Sequence, residues 1–333
     1  MSTMKTSGYA HGKVILFGEH AVVHGVPAIA VGIDRGARAL ATPSATPSTL
    51  RVAGWNITAT EGAVETPLDR AFNGVLTATR SAGVVVPGVH VEAEADLPPG
   101  GGLGCSAALG VAVARALDSG ATGEEIAKRA DAWERVFHGN PSGIDAAVSA
   151  LGGCVRFQRN QSNDGTGPKI SRVRIPSPVH LCIGNSGQIS STKSMVEAVA
   201  RLKERRPETT QKAFDAIHTL VKNAELAHID GDRKALGQLL DLNQMLLAGL
   251  FVSTPDIETM CGAARSAGAL GAKLTGAGGG GCVVALVDGP ETAQSVLAAW
   301  KQNGFEGFHT TFGANESAND ARRPSVSMES AAS

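Results

Sequence analysis

Two carboxylates stand on either side of a short turn, and such a pair can divide the work of metal binding and proton transfer. Glu134 comes near the end of a predicted helix, and Asp145 follows the Asn-Pro-Ser-Gly turn at 140–143. One carboxylate would ligate magnesium and the other would accept or orient the proton of an alcohol, the pair of roles that phosphoryl transfer requires. Taken alone, the pair is better explained as a solvated helix carboxylate and a second one stabilised at a helix N-terminus.

The strongest chemical signal is a glycine-rich turn followed by a small-residue helix. Residues 97–108 read Leu-Pro-Pro-Gly-Gly-Gly-Leu-Gly-Cys-Ser-Ala-Ala. The glycines let backbone N–H groups approach an anion, and the predicted helix N-terminus adds free N–H groups and the positive end of its dipole. Ser106 would offer Mg²⁺ a hard oxygen ligand there. The run is neither a Walker A motif nor a dinucleotide fingerprint, and with four glycines a purely structural turn is the less favoured alternative.

A second glycine run is weaker evidence by itself. Residues 276–281 contain five glycines in six positions, and the apolar run 283–287 that follows is predicted to be a buried strand. Glycines at this density cost backbone entropy on folding, so they need a reason. Close approach to a ligand or to the first glycine run supplies one, although glycine-rich turns also occur for purely structural reasons.

Lys13, Glu19 and His20 belong to a further segment, in which a predicted strand over 13–17 ends in a polar turn. A lysine at a strand edge is usually solvated, and a Glu-His pair in a turn is usually only a polar turn. The functional alternative is that the Lys13 ammonium stabilises an alkoxide or a phosphoryl oxygen.

These motifs need a scaffold that brings them together. The first part of the chain alternates short β-rich runs with turn residues, as an antiparallel sheet does, and a capping box at 122–125 opens the helix that carries Glu134. The second part contains three amphipathic segments, predicted to be helices around 192–204, 211–229 and 232–250. We therefore predict two domains, 5–172 and 173–313, and a disordered tail over 314–333, where large apolar residues are scarce.

The bulk composition is that of an ordinary globular chain. Of 333 residues, 43% are hydrophobic, and 30 basic residues almost balance 31 acidic ones. This balance gives no general attraction to nucleic acid or to an anionic membrane. The first apolar run is too short for a signal sequence, and none approaches the ~20 residues that span a bilayer. Five scattered cysteines without a C-x-x-C pair favour reduced thiols and no structural zinc site, so we expect a soluble protein of the cytosol.

Together, the motifs resemble the three ordered motifs of the GHMP kinases, a superfamily that includes galactokinases, homoserine kinases, mevalonate kinases and phosphomevalonate kinases. The three segments that match these motifs are 12–25, 98–108 and 273–282, and further matches are 138–145 and 242–244. The first reads Gly-Lys-Val-Ile-Leu-x-Gly-Glu-His-Ala-Val-Val-x-Gly, and the last reads Lys-Leu-Thr-Gly-Ala-Gly-Gly-Gly-Gly-Cys. The resemblance covers nearly the whole chain from residue 10 to residue 287 and is nearest to the mevalonate kinase branch.

The resemblance implies a fold that composition alone does not indicate. It implies an α+β fold of two domains with the active site in the cleft between them. The N-terminal domain would be a mixed α/β domain with a left-handed βαβ crossover, against the usual right-handed rule. The C-terminal domain would be α+β of the ferredoxin-like type. A homodimer is also expected, since it is common in the family.

The resemblance also implies residues that bind ATP and its metal ion. The first glycine run would wrap the ATP phosphates, and Asn56 would lie near the adenine. The residues expected to bind ATP are Lys13, Asn56, Gly100, Gly101, Gly102, Leu103, Gly104, Cys105 and Ser106. Ser106 and Glu134 would hold Mg²⁺, the expected cofactor.

The acceptor implied by the resemblance is the 5-hydroxyl of mevalonate, phosphorylated in a step of isoprenoid biosynthesis. Asp145 would take or orient the hydroxyl proton, and Lys13 would lower the pKa of that hydroxyl and neutralise charge in the transition state. The residues expected to contact mevalonate are Glu19, His20, Thr192, Gly276 and Ala277.

The sequence departs from the family pattern at three places, and two alternative functions stay open. His11 stands where the family has proline, Cys105 replaces a serine, and 185–192 lacks the basic residues common in animal relatives. One alternative is a sister kinase that acts on phosphomevalonate or on the 3-hydroxyl of mevalonate; the lack of an extra basic cluster in the motifs argues against a phosphorylated acceptor. The other is a catalytically silent ligand sensor, against which the retained lysine, serine and two carboxylates argue.

Overall fold

The computed structural model describes residues 5–98, 101–139, 141–161 and 167–313. Within these ranges the chain forms a seven-stranded sheet and a four-stranded sheet, each covered by helices. Gly100, expected at the ATP phosphates, and the tail at 314–333, expected to be disordered, lie outside the described residues. No helix among the described residues is long and apolar enough to cross a membrane.

One long hairpin is the basis of the first sheet. Strand β1 (Thr6–Phe17) pairs antiparallel with β2 (Ala28–Pro43), and a 3₁₀ helix at Ala21–His24 lies in the connection. The end of β1, Val-Ile-Leu-Phe, is apolar and buried at every position, as in a strand covered on both faces. The other strands of this sheet are β3 (Thr49–Val52), β4 (Thr58–Thr60), β5 (Val89–Ala95), β6 (Cys154–Gln158) and β7 (Lys169–Arg172).

The strand order is β4-β3-β5-β2-β6-β7, with β1 on the other edge of β2. The pair β3–β5 is parallel, and its connection contains β4 and helix α1 (Pro67–Ser81). This connection is the crossover that the family resemblance expects, and its left hand stays a prediction.

Three further helices cover the first sheet and carry both candidate carboxylates, Glu134 and Asp145, together with Ser106. They are α2 (Cys105–Leu117), α3 (Gly123–His138) and α4 (Ile144–Leu151). Helix α3 begins with the predicted capping box: the Thr122 hydroxyl accepts from the Glu125 N–H, and the Glu125 carboxylate accepts from the Thr122 N–H. Helix α2 consists mostly of Ala, Val, Leu and Gly, and most of its residues are buried because it packs against both β1 and β2.

The second sheet confirms the expected ferredoxin-like arrangement. Its elements are β8 (Val179–Asn185), α5 (Thr192–Arg205), α6 (Pro207–Asp230), α7 (Arg233–Gly249), α8 (Pro255–Ser266), β9 (Gly271–Thr275), β10 (Cys282–Val287), α9 (Pro290–Gln302) and β11 (Glu306–Phe312). The strand order β11-β8-β10-β9 is antiparallel throughout, which is the βαββαβ pattern with four helices in its first crossover. The limit predicted at 172/173 lies between the two sheets, and the domain limits themselves stay a prediction.

The two sheets meet where β1 lies against β9. The Ile15 N–H donates to Thr275 Oγ1 at 2.9 Å, and the Thr275 hydroxyl donates to the Ile15 carbonyl at 3.1 Å. Both partners are buried, so this contact is shielded from water. Because Lys13 and the second glycine run flank these two residues in sequence, the contact brings the predicted motifs of the two halves together.

Candidate active site

The first glycine run is attached to β1 at Lys13. The Lys13 N–H donates to the Leu103 carbonyl at 2.9 Å, and the Lys13 Nζ donates to the Gly102 carbonyl at 2.8 Å. Gly104 has a φ of +75°, and a Cβ at this position would lie 2.8 Å from the Lys13 Cγ. Only glycine therefore lets the chain pass over the lysine side chain and enter α2.

The N-terminus of α2 has the properties of an anion site. The helix begins directly after Gly104, which has no side chain to cap the first N–H groups. These donors and the positive end of the helix dipole lie beside the Lys13 ammonium, so backbone and side chain present positive potential to the same place. Cys105, the first residue of the helix, is half-buried, and burial raises the pKa of its thiol.

Ser106 and Glu134 form the arrangement expected for a metal site. The Ser106 hydroxyl donates to Glu134 Oε1 at 2.8 Å. Glu134 is 2% exposed; burial, and to a smaller extent the Asp145 carboxylate, raise its pKa to about 8. A buried carboxylate in this state gains a counter-charge when a divalent cation binds, so the pair fits Mg²⁺.

The described residues hold no group of three or more His, Cys, Asp or Glu side chains suited to a metal. One carboxylate and one hydroxyl are therefore the side-chain ligands that the Glu134 site offers. A hard cation that prefers several oxygen ligands would complete its shell with phosphate oxygens and water.

Lys13 and Asp145 form an ion pair at the mouth of this site. The Lys13 Nζ lies 3.1 Å from Asp145 Oδ1. The lysine side chain is 4% exposed and the aspartate side chain 33% exposed, so the carboxylate is open to an incoming hydroxyl. Asp145 is in the first turn of α4, so its carboxylate lies next to the positive end of that helix dipole.

The second glycine run contacts the first one, as expected. A Cβ on Gly276 would lie 3.4 Å from the Gly102 carbonyl oxygen, and one on Gly281 would lie 3.3 Å from that of Gly101. On its other side, the Gly279 N–H donates to the Val252 carbonyl at 2.7 Å. Strand β10 rather than a helix follows this run, so it offers no helix N-terminus to a phosphate.

His20 is held in an unusual conformation beside the second glycine run. Its φ is +60°, which is uncommon for a residue other than glycine, and its side chain is buried. Nε2 lies 2.8 Å from the Ala277 carbonyl, which can only accept, so Nε2 carries the hydrogen and Nδ1 is an acceptor. Nδ1 is buried and has no partner within the described residues, and burial lowers the pKa of the ring to about 4. An unpartnered buried acceptor of this kind calls for a donor from a ligand.

Glu19, expected to contact mevalonate, lies in the buried contact between the two sheets. It is 1% exposed and forms an ion pair with Lys273, which is fully buried. The Asn243 amide donates to its other oxygen, Glu19 Oε2, at 3.1 Å. Both of its oxygens are engaged in this contact between the sheets, and a contact of Glu19 with an acceptor stays a prediction. It supports the turn of His20 from behind.

Thr192 and Asn56 lie at the periphery. Thr192 is exposed at the start of α5, and Asn56 is exposed in the connection between β3 and β4. The residue before Asn56 is Trp55, whose ring lies edge-on to Phe137 of α3, with the ring centroids 6.3 Å apart. The contacts of Thr192 with an acceptor and of Asn56 with an adenine stay predictions.

Sequence reasoning missed three residues that support the site. Lys273 and Asn243 bind the Glu19 carboxylate. Both belong to segments that match the family motifs, so the sequence marked these two residues as part of the family pattern but did not indicate what they contact. Trp133 donates its indole N–H to Ser106 Oγ at 3.2 Å. No local pattern marks Trp133, because the contact depends on how α2 and α3 pack.

A helix N-terminus with a lysine and two carboxylates around it is an arrangement suited to phosphoryl transfer, the chemistry of a kinase. Comparison with known proteins identifies the kind. The domain families described as GHMP kinases N terminal domain and GHMP kinases C terminal match residues 69–153 and 218–306. The chain belongs to the GHMP kinases, in the branch that contains the mevalonate kinases. As a member of a kinase family it uses ATP.

The relatives match over nearly the whole chain. A mevalonate kinase of Thermococcus sibiricus is 36% identical over 322 residues, which are 90% of this chain and 93% of the relative. A mevalonate kinase of Pyrococcus abyssi is 36% identical over 306 residues, which are 85% of this chain and 88% of the relative. Among solved structures, L. major mevalonate kinase in complex with R-mevalonate is 28% identical with a TM-score of 0.75, covering 93% of this chain and 96% of its own.

Proposed function

We propose that this kinase transfers the γ-phosphoryl group of ATP to the 5-hydroxyl of mevalonate. The observation that carries the proposal is the ion pair of Lys13 and Asp145, 3.1 Å apart beside the N-terminus of α2, in a chain of the mevalonate kinase branch. The likeness to a solved mevalonate kinase that binds R-mevalonate supports the choice of acceptor.

In this mechanism the ion pair acts on the acceptor hydroxyl. Asp145 accepts or orients the proton, since its carboxylate is the partly exposed member of the pair. The Lys13 ammonium stabilises the charge that develops on the attacking oxygen and on the transferred phosphoryl group. The hydrogen bond from Lys13 Nζ to the Gly102 carbonyl fixes the ammonium relative to the first glycine run. The attacking oxygen and the phosphoryl group would therefore both interact with one cation in a fixed position.

The nucleotide phosphates would lie on the N-terminus of α2, and Ser106 and Glu134 would hold Mg²⁺ beside them. The ion would supply positive charge to the phosphate oxygens during transfer. Because burial raises the pKa of Glu134 to about 8, Glu134 would bind the cation with release of a proton near neutral pH.

The acceptor would be oriented by His20 and by the second glycine run. His20 Nδ1, buried and unpartnered, would accept a hydrogen bond from a mevalonate hydroxyl. Gly276 and Ala277 would line the cleft next to it, and Thr192 would approach from the start of α5. The ion pair of Glu19 with Lys273 would hold the adjacent His20 turn in place, and the contact of Glu19 itself with mevalonate stays a prediction.

The two alternatives are less well supported. A phosphorylated acceptor needs additional basic groups, and the matched motifs contain no extra basic cluster. A ligand sensor would not need Lys13 and Asp145 in contact, nor Ser106 in contact with Glu134, yet both pairs are formed. The cytosolic location and a homodimer stay predictions, to be tested by cell fractionation and by light scattering of the purified protein.

A coupled assay of ADP release tests the proposed acceptor. The purified protein is supplied with MgATP and, in separate reactions, with mevalonate, phosphomevalonate, galactose and homoserine. We expect turnover with mevalonate and at most background rates with the other three. Faster turnover with phosphomevalonate would mean that phosphomevalonate, not mevalonate, is the acceptor. No turnover with any of the four compounds would favour the catalytically silent ligand sensor.

A further inference from the structure

The Ser106 hydroxyl has a second partner that the proposed mechanism leaves unused. Trp133 is fully buried on α3, and its Nε1–H donates to Ser106 Oγ at 3.2 Å. The hydroxyl itself donates to Glu134 Oε1 at 2.8 Å. A hydroxyl has one hydrogen and two lone pairs, so these two bonds occupy the hydrogen and one lone pair. One lone pair of Ser106 Oγ is left, and its direction is determined by the other two bonds.

We propose that Trp133 is a positioning residue that directs the remaining lone pair of Ser106 Oγ towards a bound divalent cation. This inference rests on the proposed role of Ser106 and Glu134 as magnesium ligands. Without the indole N–H, the Ser106 hydroxyl keeps a single hydrogen bond and rotates about its C–O bond. Hydrogen-bond partners that fix a ligand in this way raise metal affinity without touching the metal.

The indole is fixed by the packing of two helices. Residue 110 of α2 is glycine, and a Cβ there would lie 2.7 Å from the Trp133 Cγ, so α2 contacts the ring at close range. Phe137, one turn further along α3, packs on the same ring with the centroids 5.6 Å apart. Ser106 lies one turn before Gly110, so the N–H direction follows from the register of α2 on α3.

A purely structural explanation exists and is testable. A buried indole N–H needs an acceptor, and Ser106 Oγ would serve as one even if no metal bound there. The two explanations differ in whether the effect of removing the N–H depends on the Ser106 hydroxyl. A double-mutant cycle with Trp133→Phe and Ser106→Ala measures that dependence.

The probe is Mn²⁺, titrated into the full-length protein with saturating ADP and detected by electron paramagnetic resonance. Trp133→Phe keeps an aromatic ring but removes the N–H, and we expect it to weaken Mn²⁺ binding by about 3- to 10-fold. In the Ser106→Ala background the same substitution should change the affinity by less than about 2-fold, because the hydroxyl that it orients is gone. The matched control is Trp300→Phe. Trp300 is also fully buried and donates its indole N–H, to the Met260 carbonyl at 2.8 Å, and its loss should leave Mn²⁺ affinity unchanged.

The outcomes separate this inference from the proposed metal site. If Ser106→Ala binds Mn²⁺ like the wild type, the metal site itself is elsewhere and both proposals fail. If Ser106→Ala is weakened but Trp133→Phe is not, or if Trp133→Phe loses the same factor in both backgrounds, only the role of Trp133 is overturned. Binding is measured without an acceptor, so the identity of the acceptor does not enter.

A second measurement tests the inference even if the Trp133→Phe variant does not fold, because it uses the wild-type protein. In ¹⁵N-tryptophan-labelled wild-type protein, three indole N–H resonances are expected, one for each tryptophan. Trp55→Phe and Trp300→Phe assign the third to Trp133. We expect this resonance to shift when Mg²⁺ is added to the ADP complex, and not to shift in Ser106→Ala. A Trp133 resonance that ignores Mg²⁺ in the wild type would overturn the inference.

Discussion

The two glycine runs have similar compositions but different surroundings. The first enters α2 directly, crosses Lys13 at Gly104 and lies next to both carboxylates. The second enters strand β10 and is bonded to the backbone of Val252 and Gln188. Both runs use positive φ angles, and each makes close backbone contact with the other. We therefore expect the element that follows a glycine run to decide what the run does: the helix N-terminus after the first run is the proposed phosphate site, and the buried strand after the second run makes that run a structural support.

The largest difference between the two runs should appear when carboxylates beside them are neutralised. Asp145→Asn removes a proton acceptor beside the first run, and we expect kcat to fall by about 10²- to 10⁴-fold with little change in ATP affinity. The matched control is Asp256→Asn; this carboxylate accepts from the Gln188 amide at 2.6 Å near the second run. It should retain kcat within about 2-fold of the wild type, since it touches no reacting group. Comparable losses of kcat in the two variants would contradict a catalytic role that is confined to the carboxylate beside the first run.

The second-largest loss of activity, after that of Asp145→Asn, is expected from a methyl group at Gly104. The φ of +75° is unfavourable for alanine, and its Cβ would lie 2.8 Å from the Lys13 Cγ. Because the ammonium must move, we expect Gly104→Ala to lower kcat by up to about 10²-fold. Steady-state kinetics with a melting curve checks this. A variant that is less stable but fully active would mean that Lys13 does not need its observed position.

The Glu134 carboxylate, beside the first run, should make the stability of the metal-free protein depend on pH. Its folded pKa is about 8 against an ordinary value of 4.5. Between these values the unfolded chain has lost the proton and the folded chain keeps it, so stability falls as pH rises, by on the order of a few kcal/mol in total. Glu134→Gln cannot ionise and should show a flatter curve. Melting temperatures across this range without metal measure both slopes. Parallel curves would mean that Glu134 is ionised in the free protein.

A methyl group in the second run should affect stability and acceptor binding more than chemistry. Gly279 has a φ of +70°, and its Cβ would meet the Met195 Sδ of α5 at 2.6 Å. We expect Gly279→Ala to cost about 1–2 kcal/mol from the backbone angle alone.

Because α5 begins with Thr192, the same variant should raise the KM for the acceptor while the KM for ATP stays near normal. Adding Met195→Ala should restore the KM for the acceptor, but it should not restore the stability that is lost because alanine disfavours the positive φ at position 279. An increase confined to the ATP KM would assign the second run to the nucleotide instead.

Local signals were sufficient for several elements. The predicted helices at 192–204 and 232–250 match α5 and α7 to within one residue at each end, and the capping box at 122–125 opens α3 as expected. Their apolar spacing and caps lie within one stretch of chain, which is what sequence patterns report. Helix α8 was missed although Thr254 caps it and proline is its first residue.

The contacts that support the site depend on residues far apart in the chain. Glu19 and Lys273 are 254 positions apart, and Ser106 and Trp133 are 27 apart. Glu19 was predicted to touch the acceptor because its motif pointed to the site. The partners of the Glu19 carboxylate depend on how β1 and β9 pack, and no single motif contains that information.

The hydroxyl that receives the phosphoryl group tests the account most directly. The 5-hydroxyl of mevalonate is primary and the 3-hydroxyl is tertiary, so only the 5-phosphate has hydrogens on the carbon that bears the ester. The product made from MgATP and mevalonate is isolated and its proton-coupled ³¹P spectrum recorded. A phosphate monoester signal split into a triplet by a CH₂ group is the predicted result. A single uncoupled ester line would show transfer to the 3-hydroxyl and would contradict the proposal that the Lys13–Asp145 ion pair acts on the primary alcohol.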